Sequence, residues 1–257
     1  MRRWLSSLLV TVLACCVWAG APLGEVDAAN TVAAQQAPRL TVSKTRVDVG
    51  DRVAFKGSLG RSARGSTVVL QRQRRGNWIK VISRRADSQG AFSIRTAVSK
   101  PGKNPYRVTT VRGPSNTVIV RAFRWLYFAN FDVDTVQGSP DGVGTATIAG
   151  GSYPRSFGVD AGYTSVEQKL SYLLNRKCLR FKAFVGPSMA STWDGGVGTM
   201  SVYADGASRY SASLAYAQGQ AVDLSMRGVG VIEFRVLNTG GSEYVGVYGT
   251  ARVYCSF

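Results

Sequence analysis

Histidine is absent from all 257 residues. That gap removes the Ser-His-Asp and Cys-His nucleophilic arrangements and the imidazole ligands of ordinary zinc hydrolases. Cysteine is scarce: there are four, and two of them, Cys15 and Cys16, sit in the first apolar run. The other two, Cys178 and Cys255, cannot build a structural zinc site without histidine. Acids are few as well, 15 against 32 Lys and Arg, for a net charge of +17. A glycosidase would need only two carboxylates, but Glu233 falls in an alternating run and Glu243 follows a Gly-Gly turn, neither a distinctive catalytic setting. The spacing of Asp160, Asp194 and Asp205 matches no calcium loop. The glycine-rich stretches join strand-like runs and open no helix, which excludes a phosphate cradle. The expectation is a non-catalytic protein that needs neither metal nor cofactor.

What is there begins with a leader. Arg2 and Arg3 precede an apolar run from Trp4 to Trp18, and small residues follow at Ala19, Gly20 and Ala21. This is the three-part layout of a secretory signal peptide, assigned to residues 1–29, with cleavage fitting after Ala21 or after Ala28. The run is shorter than the roughly 20 apolar residues that span a bilayer. Val12-Leu13-Ala14-Cys15 resembles a lipobox, and only acylation of Cys15 would place the protein on a membrane. Residues 30–38 are Ala/Gln-rich and aperiodic, a flexible leader. Export would carry Cys178 and Cys255 into an oxidising compartment, which predicts a disulfide between them. Closing so long a loop is worth roughly 4 to 5 kcal/mol on the chain-entropy model.

The charge divides the rest of the chain. Residues 39–122 hold 19 Lys and Arg against Asp48, Asp51 and Asp87, a net +16, whereas residues 123–257 hold 11 against 10 acids, a net +1. Two domains with different partners follow, the basic one drawing polyanions through its long-range field.

In residues 39–122, short alternating runs recur at Leu40 to Val42, Arg52 to Lys56, Thr67 to Gln73, Trp78 to Ser83, Ala91 to Thr96, Tyr106 to Val111 and Thr117 to Ala122. Turn clusters separate them, including Pro101-Gly102-Lys103-Asn104-Pro105. Seven short strands so spaced predict an antiparallel sandwich. The segments VSKTRVDVGDRVAFKGSL, VVLQRQRRGNWIKV, SQGAFSIRT, YRVTTV and SNTVIV resemble the immunoglobulin-like modules of secreted actinobacterial proteins. Trp78 stands where such sandwiches bury a core tryptophan. The densest cationic cluster is Arg72, Arg74 and Arg75 with Arg84 and Arg85 on the neighbouring strand, a candidate site for an anionic polymer such as teichoic acid or an acidic polysaccharide. No aromatics interleave with these charges, so nucleic acid is not expected as a partner.

After Phe123 the composition turns to Gly, Ser, Tyr and Ala. Strand candidates are Gly144 to Ile148, Ser152 to Phe157, Leu179 to Val185, Val197 to Ala204, Ser208 to Ala215, Gln220 to Ser225, Val229 to Leu237 and Val245 to Tyr254, which predict a jelly-roll sandwich and an all-β chain. Ser165 to Leu174 is the one helical candidate, although Tyr172-Leu173-Leu174 reads equally well as strand. In order, SYPRSFGVDA, KLSYLLNRKCLRFKAFVG, GVGTMSVYADG, QAVDLSMRGVGVIEFRVL and VGVYGTARVYC resemble the NPCBM-like modules, relatives of carbohydrate-binding modules. The resemblance implies a jelly-roll fold and a glycan partner in the cell wall or outside the cell. The chain departs from it in having Phe157-Gly158-Val159-Asp160 where the family's entry loop carries histidine, and Val247-Tyr248-Gly249 where its closing strand offers tryptophan.

Sugar binding needs flat aromatic faces beside planar polar groups. Tyr153, Tyr163, Trp193 and Tyr248 on predicted loops supply the first, and Asp194, Arg155 and Asn238 the second. Trp193, in Ser191-Thr192-Trp193-Asp194-Gly195-Gly196, is the leading candidate. An extracellular protein-interaction scaffold without sugar binding is the alternative.

Overall fold

The computed structural model describes residues 37–130, 135–137, 141–163, 165–190 and 195–257. The signal peptide, Cys15 and most of the leader therefore lie outside the described residues, as do Trp193 and Asp194. Among the described residues, no helix is long and apolar enough to cross a membrane.

The chain is all-β. Its first nine strands are β1 (Arg39–Val42), β2 (Arg46–Asp48), β3 (Arg52–Ser58), β4 (Thr67–Arg74), β5 (Asn77–Arg85), β6 (Ala91–Ala97), β7 (Gly102–Thr110), β8 (Gly113–Pro114) and β9 (Val118–Tyr127). One sheet runs β1-β3-β6 and the facing one β9-β7-β4-β5, with β2 added to β9 in parallel. The period-2 alternation aims Val53 and Phe55, Val68 and Leu70, and Tyr106 and Val108 at one buried cluster between the sheets. Phe55 and Tyr106 meet there at 4.7 Å between ring centroids.

Ten more strands follow: β10 (Thr135–Gln137), β11 (Asp141–Ile148), β12 (Gly151–Gly162), β13 (Gln168–Leu173), β14 (Cys178–Pro187), β15 (Val197–Ala204), β16 (Ala207–Ala215), β17 (Gln220–Ser225), β18 (Val231–Asn238) and β19 (Tyr244–Cys255). They form a second sandwich of β10-β13-β18-β15-β16 against β11-β12-β19-β14-β17. Its core is a nest of rings, with Phe128, Phe157, Phe181 and Phe234 within 6.0 Å of one another along successive contacts. Tyr248 reaches across this core from β19, its hydroxyl donating to the carbonyls of Ser201 (2.9 Å) and Arg235 (3.0 Å), which are register partners on the opposite sheet. Tyr244 does the same with the carbonyl of Leu214, at 3.1 Å. Such bonds satisfy a buried hydroxyl and tie the layers together.

The two cores draw on residues 40–122 and 128–255. Strand β9 runs from one to the other: its first half pairs with β7 and its last residues, Arg124 to Tyr127, pair with β19. The predicted disulfide is present between Cys178 and Cys255, which are direct cross-strand partners on β14 and β19.

Three local readings are corrected. The helical candidate is strand β13, because Leu170 pairs with Phe234 and buries its side chain with Tyr172 in the ring nest, and that pairing outweighs a weak helical period. The turn predicted at Pro101 to Pro105 is largely strand: β7 begins at Gly102 and pairs with β9. Proline is tolerated because β4 joins β7 only from Tyr106 onward, which leaves Pro105 bordered by β9 alone. Trp78 is half-exposed and lies outside the core. It opposes Gln73 on the outer face of β4-β5 under the Arg107 guanidinium, 4.3 Å from the ring centroid, while Phe55 and Tyr106 fill the inner space.

Candidate functional site

The β11-β12-β19-β14-β17 sheet turns Phe157, Val159 and Ala161 of β12 inward, so Gly158 and Asp160 face out. Register places Asp160 beside Val245 and Gly158 beside Val247. The chain leaving β14 then crosses this face: Ser188 N–H donates to the Val245 carbonyl (2.9 Å) and Met189 N–H to the Thr147 carbonyl (3.0 Å). The crossing walls off a groove of about 430 Å³.

Thr145 and Thr147 of β11 form one side of that groove, Gly158 and the two valines its floor, and Ser188 and Ala190 the other side. Asp160 and Glu243 bring two carboxylates to it. Asp160 is fixed by accepting the Gly162 N–H at 2.7 Å, a local turn that ends β12. Tyr163 stands at the rim, 66% exposed, its hydroxyl 3.3 Å from a Glu243 carboxylate oxygen. That carboxylate raises the phenol's pKa above its ordinary value of 10.0. Of the large apolar side chains exposed after residue 129, Tyr163 and Val166 both lie in the β12–β13 connection next to this groove. Hydroxyls, carboxylates and an exposed ring around a shallow groove are the polar and stacking groups that hold a sugar.

Residues 129–253 match the NPCBM/NEW2 domain. The matched segment, a little under half of the chain, contains every residue that lines the groove. No curated protein matches the chain. Among solved structures, the chain is similar to a CBM51 module of Clostridium perfringens GH95 in complex with methyl-galactose, at 16% identity over 51% of this chain and 99% of that one, with a TM-score of 0.40. It is also similar to the CBM51-2 and INT domains of Clostridium perfringens ZmpB, at 12% identity over 62% of this chain and 39% of that one, with a TM-score of 0.42.

The structure separates the residues predicted from sequence to bind sugar. Tyr163 stands beside the groove, touching its Glu243. Tyr248 does not: it lies within strand β19, fully buried, and its hydroxyl is engaged across the core, so neither face of its ring meets solvent. Asn238 is also internal, its amide donating to the carbonyls of Gly162 and Ser242 at 2.6 Å each, which braces the loops behind the groove. Tyr153 and Arg155 sit on the same sheet face but farther down, Tyr153 stacked on Phe184 at 4.6 Å and Arg155 over Tyr127 at 4.5 Å. Of the aspartates considered for calcium, Asp205 accepts the N–H groups of Gly230 and Val231 and so holds a turn. Among the described residues no cluster of three or more acidic or cysteine side chains is placed to hold a metal ion. Asp160 and Glu243 were missed as a pair because 83 residues of sequence separate them.

The five arginines of the basic half do not form one patch. The β4–β5 register sets Arg74 at the hairpin turn opposite Asn77, and Arg84 and Arg85 at the far end opposite Val68 and Thr67. Seven residue steps of strand separate the ends, about 23 Å. Arg75 occupies the turn itself with a positive φ of 50°, and Arg72 turns toward Tyr106 on the inner side.

Proposed function

We propose that this is an exported, non-catalytic glycan-binding protein whose NPCBM segment receives a sugar in the groove between Asp160 and Glu243. The single observation that carries the reading is the groove itself, with two carboxylates and three hydroxyl side chains converging on a glycine-floored hollow beside the exposed Tyr163 ring. Carboxylates accept hydrogen bonds from paired sugar hydroxyls, and the ring stacks on a pyranose face. The relation of residues 129–253 to carbohydrate-binding modules supports the ligand class. Residues 1–29 act as the signal peptide, and residues 39–122 form a separate, immunoglobulin-like basic domain that holds the protein near anionic polymers of the cell envelope.

The test is binding of the mature chain to purified cell wall and to a broad glycan array, with the bound glycan recovered intact. Asp160→Asn keeps the acceptor that fixes the turn, and Glu243→Gln keeps the shape of the rim. Each should weaken sugar binding at least about tenfold, the cost of losing a charged hydrogen-bond acceptor. No binding to any wall or glycan, or wild-type affinity in both variants, contradicts the proposal.

A further inference from the structure

Below the groove, the same sheet face changes character. Rows read across β17, β14, β19 and β9 bring Lys182 beside Asp223 and Arg252, and Arg252 beside Tyr127; the next row brings Arg180 beside Tyr254, and Tyr254 beside Trp125. The stacked Tyr153–Phe184 pair, interplanar angle 8°, closes the upper end. Two adjoining hollows follow these rows, of about 370 Å³ around Phe184 and Lys182 and about 470 Å³ around Tyr254 and Arg180.

The charges on this face are arranged for an anion. Arg155 lies over the Tyr127 ring at 4.5 Å and Arg252 over Trp125 at 4.9 Å. Neither forms an ion pair with a carboxylate among the described residues. A guanidinium lying on a ring is held flat and pre-oriented, with its N–H groups directed outward along its own plane. Asp223 is already engaged by Arg180 at 2.5 Å and Lys182 at 3.2 Å, which leaves the face positive overall. Rings at both ends and cations between them suit a chain that offers apolar sugar faces with one carboxylate per residue or fewer. The fixed Asp223 carboxylate in the middle disfavours the denser phosphates of a nucleic acid.

We propose that this lower face is a second binding surface, distinct from the groove, for an acidic polysaccharide of the uronic-acid type. Arg155 and Arg252 hold its carboxylates, while the stacked Tyr153–Phe184 pair and the Trp125–Tyr254 pair border its rings.

The experiment measures binding of the full chain to polygalacturonate at low and high salt, with neutral dextran and single-stranded DNA as competitors. Arg155→Ala, at an exposed position, and the double variant Arg155→Ala/Arg252→Ala should lose binding stepwise, at least about tenfold in the double. Wild-type binding should weaken as salt rises. Glu243→Gln should bind polygalacturonate normally, so failure of the groove proposal and failure of this one are separable. The proposal is overturned if the double variant, still folded by circular dichroism, binds as well as wild type. It is equally overturned if DNA displaces polygalacturonate at equal charge, or if binding disappears only when Arg74, Arg75, Arg84 and Arg85 are replaced.

Discussion

Tyr163 and Tyr248 are both tyrosines in glycine-rich surroundings, and only the fold separates a rim ring from a core ring. In the sequence, Val247-Tyr248-Gly249 alternates just as an exposed strand edge would. What sets its direction is a shift in the β14–β19 register between Lys182 and Phe184, next to Thr250 with its positive φ of 48°. Tyr248 thereby joins Tyr244 and Ala251 on the buried side, and no propensity in the chain announces such a bulge. Tyr248→Phe removes a hydroxyl that bridges paired carbonyls on the opposite sheet, and is expected to destabilise the fold by about 1–3 kcal/mol in urea unfolding while leaving glycan affinity unchanged. At the surface, hydrogen bonds from Arg180, then from Lys182, with the attraction of both charges, hold the Asp223 carboxyl below its ordinary 3.8. A depressed carboxyl contributes stability that is present above the unfolded value and lost as pH falls through the folded one. Because the pair is exposed, solvent screening keeps that contribution small. Asp223→Asn should accordingly flatten the acid limb of a stability-against-pH curve slightly, and lower the curve above pH 5 by the same small, pH-independent amount.

Strands were legible wherever alternation was strong, as in β3, β4, β15, β17 and β18, whose bounds fall within about two residues of those read from sequence. Elements whose identity depends on a partner were not. Leu170-Ser171-Tyr172 becomes strand because β18 lies alongside, and the three residues of β2 are too few to show a period but gain their ladder from β9. The disulfide was legible from cysteine arithmetic alone, and the fold adds its role: it joins β14 to β19 at the end where β9 also docks, at a sequence separation of 77. Replacing both cysteines by serine should lower stability by up to about 4 to 5 kcal/mol on the chain-entropy model, read as a fall in the denaturation midpoint. Close packing sets a second limit on the same sandwich. A Cβ at Gly198 would lie 2.5 Å from the Tyr244 ring, so Gly198→Ala should displace a ring that bonds across the core and destabilise the fold by about 1–3 kcal/mol.

At the scale of the molecule, the charge map was the plainest statement in the sequence, with +16 in residues 39–122 and +1 in the remainder. It located the basic half without revealing its geometry, because a hairpin register, invisible in composition, carries its arginines to opposite ends of two strands. A spread field gives attraction without a fixed contact, so envelope association through this half should fall steeply between low and physiological salt, measured by cosedimentation with cell wall, whereas a neutral sugar in the groove should be held almost independently of salt. The groove was half legible: the sequence offers Tyr163 as a ring on a predicted loop, while the Asp160 and Glu243 pair exists only because β12 and β19 are neighbours. The most direct measurement of the central claim is an amide chemical-shift titration of the folded protein with the tightest-binding neutral oligosaccharide from the array. Saturable shifts centred on Asp160, Val245, Ser188 and Glu243 are the predicted result. Shifts centred on any other face of the molecule, or none at saturating sugar, would contradict it.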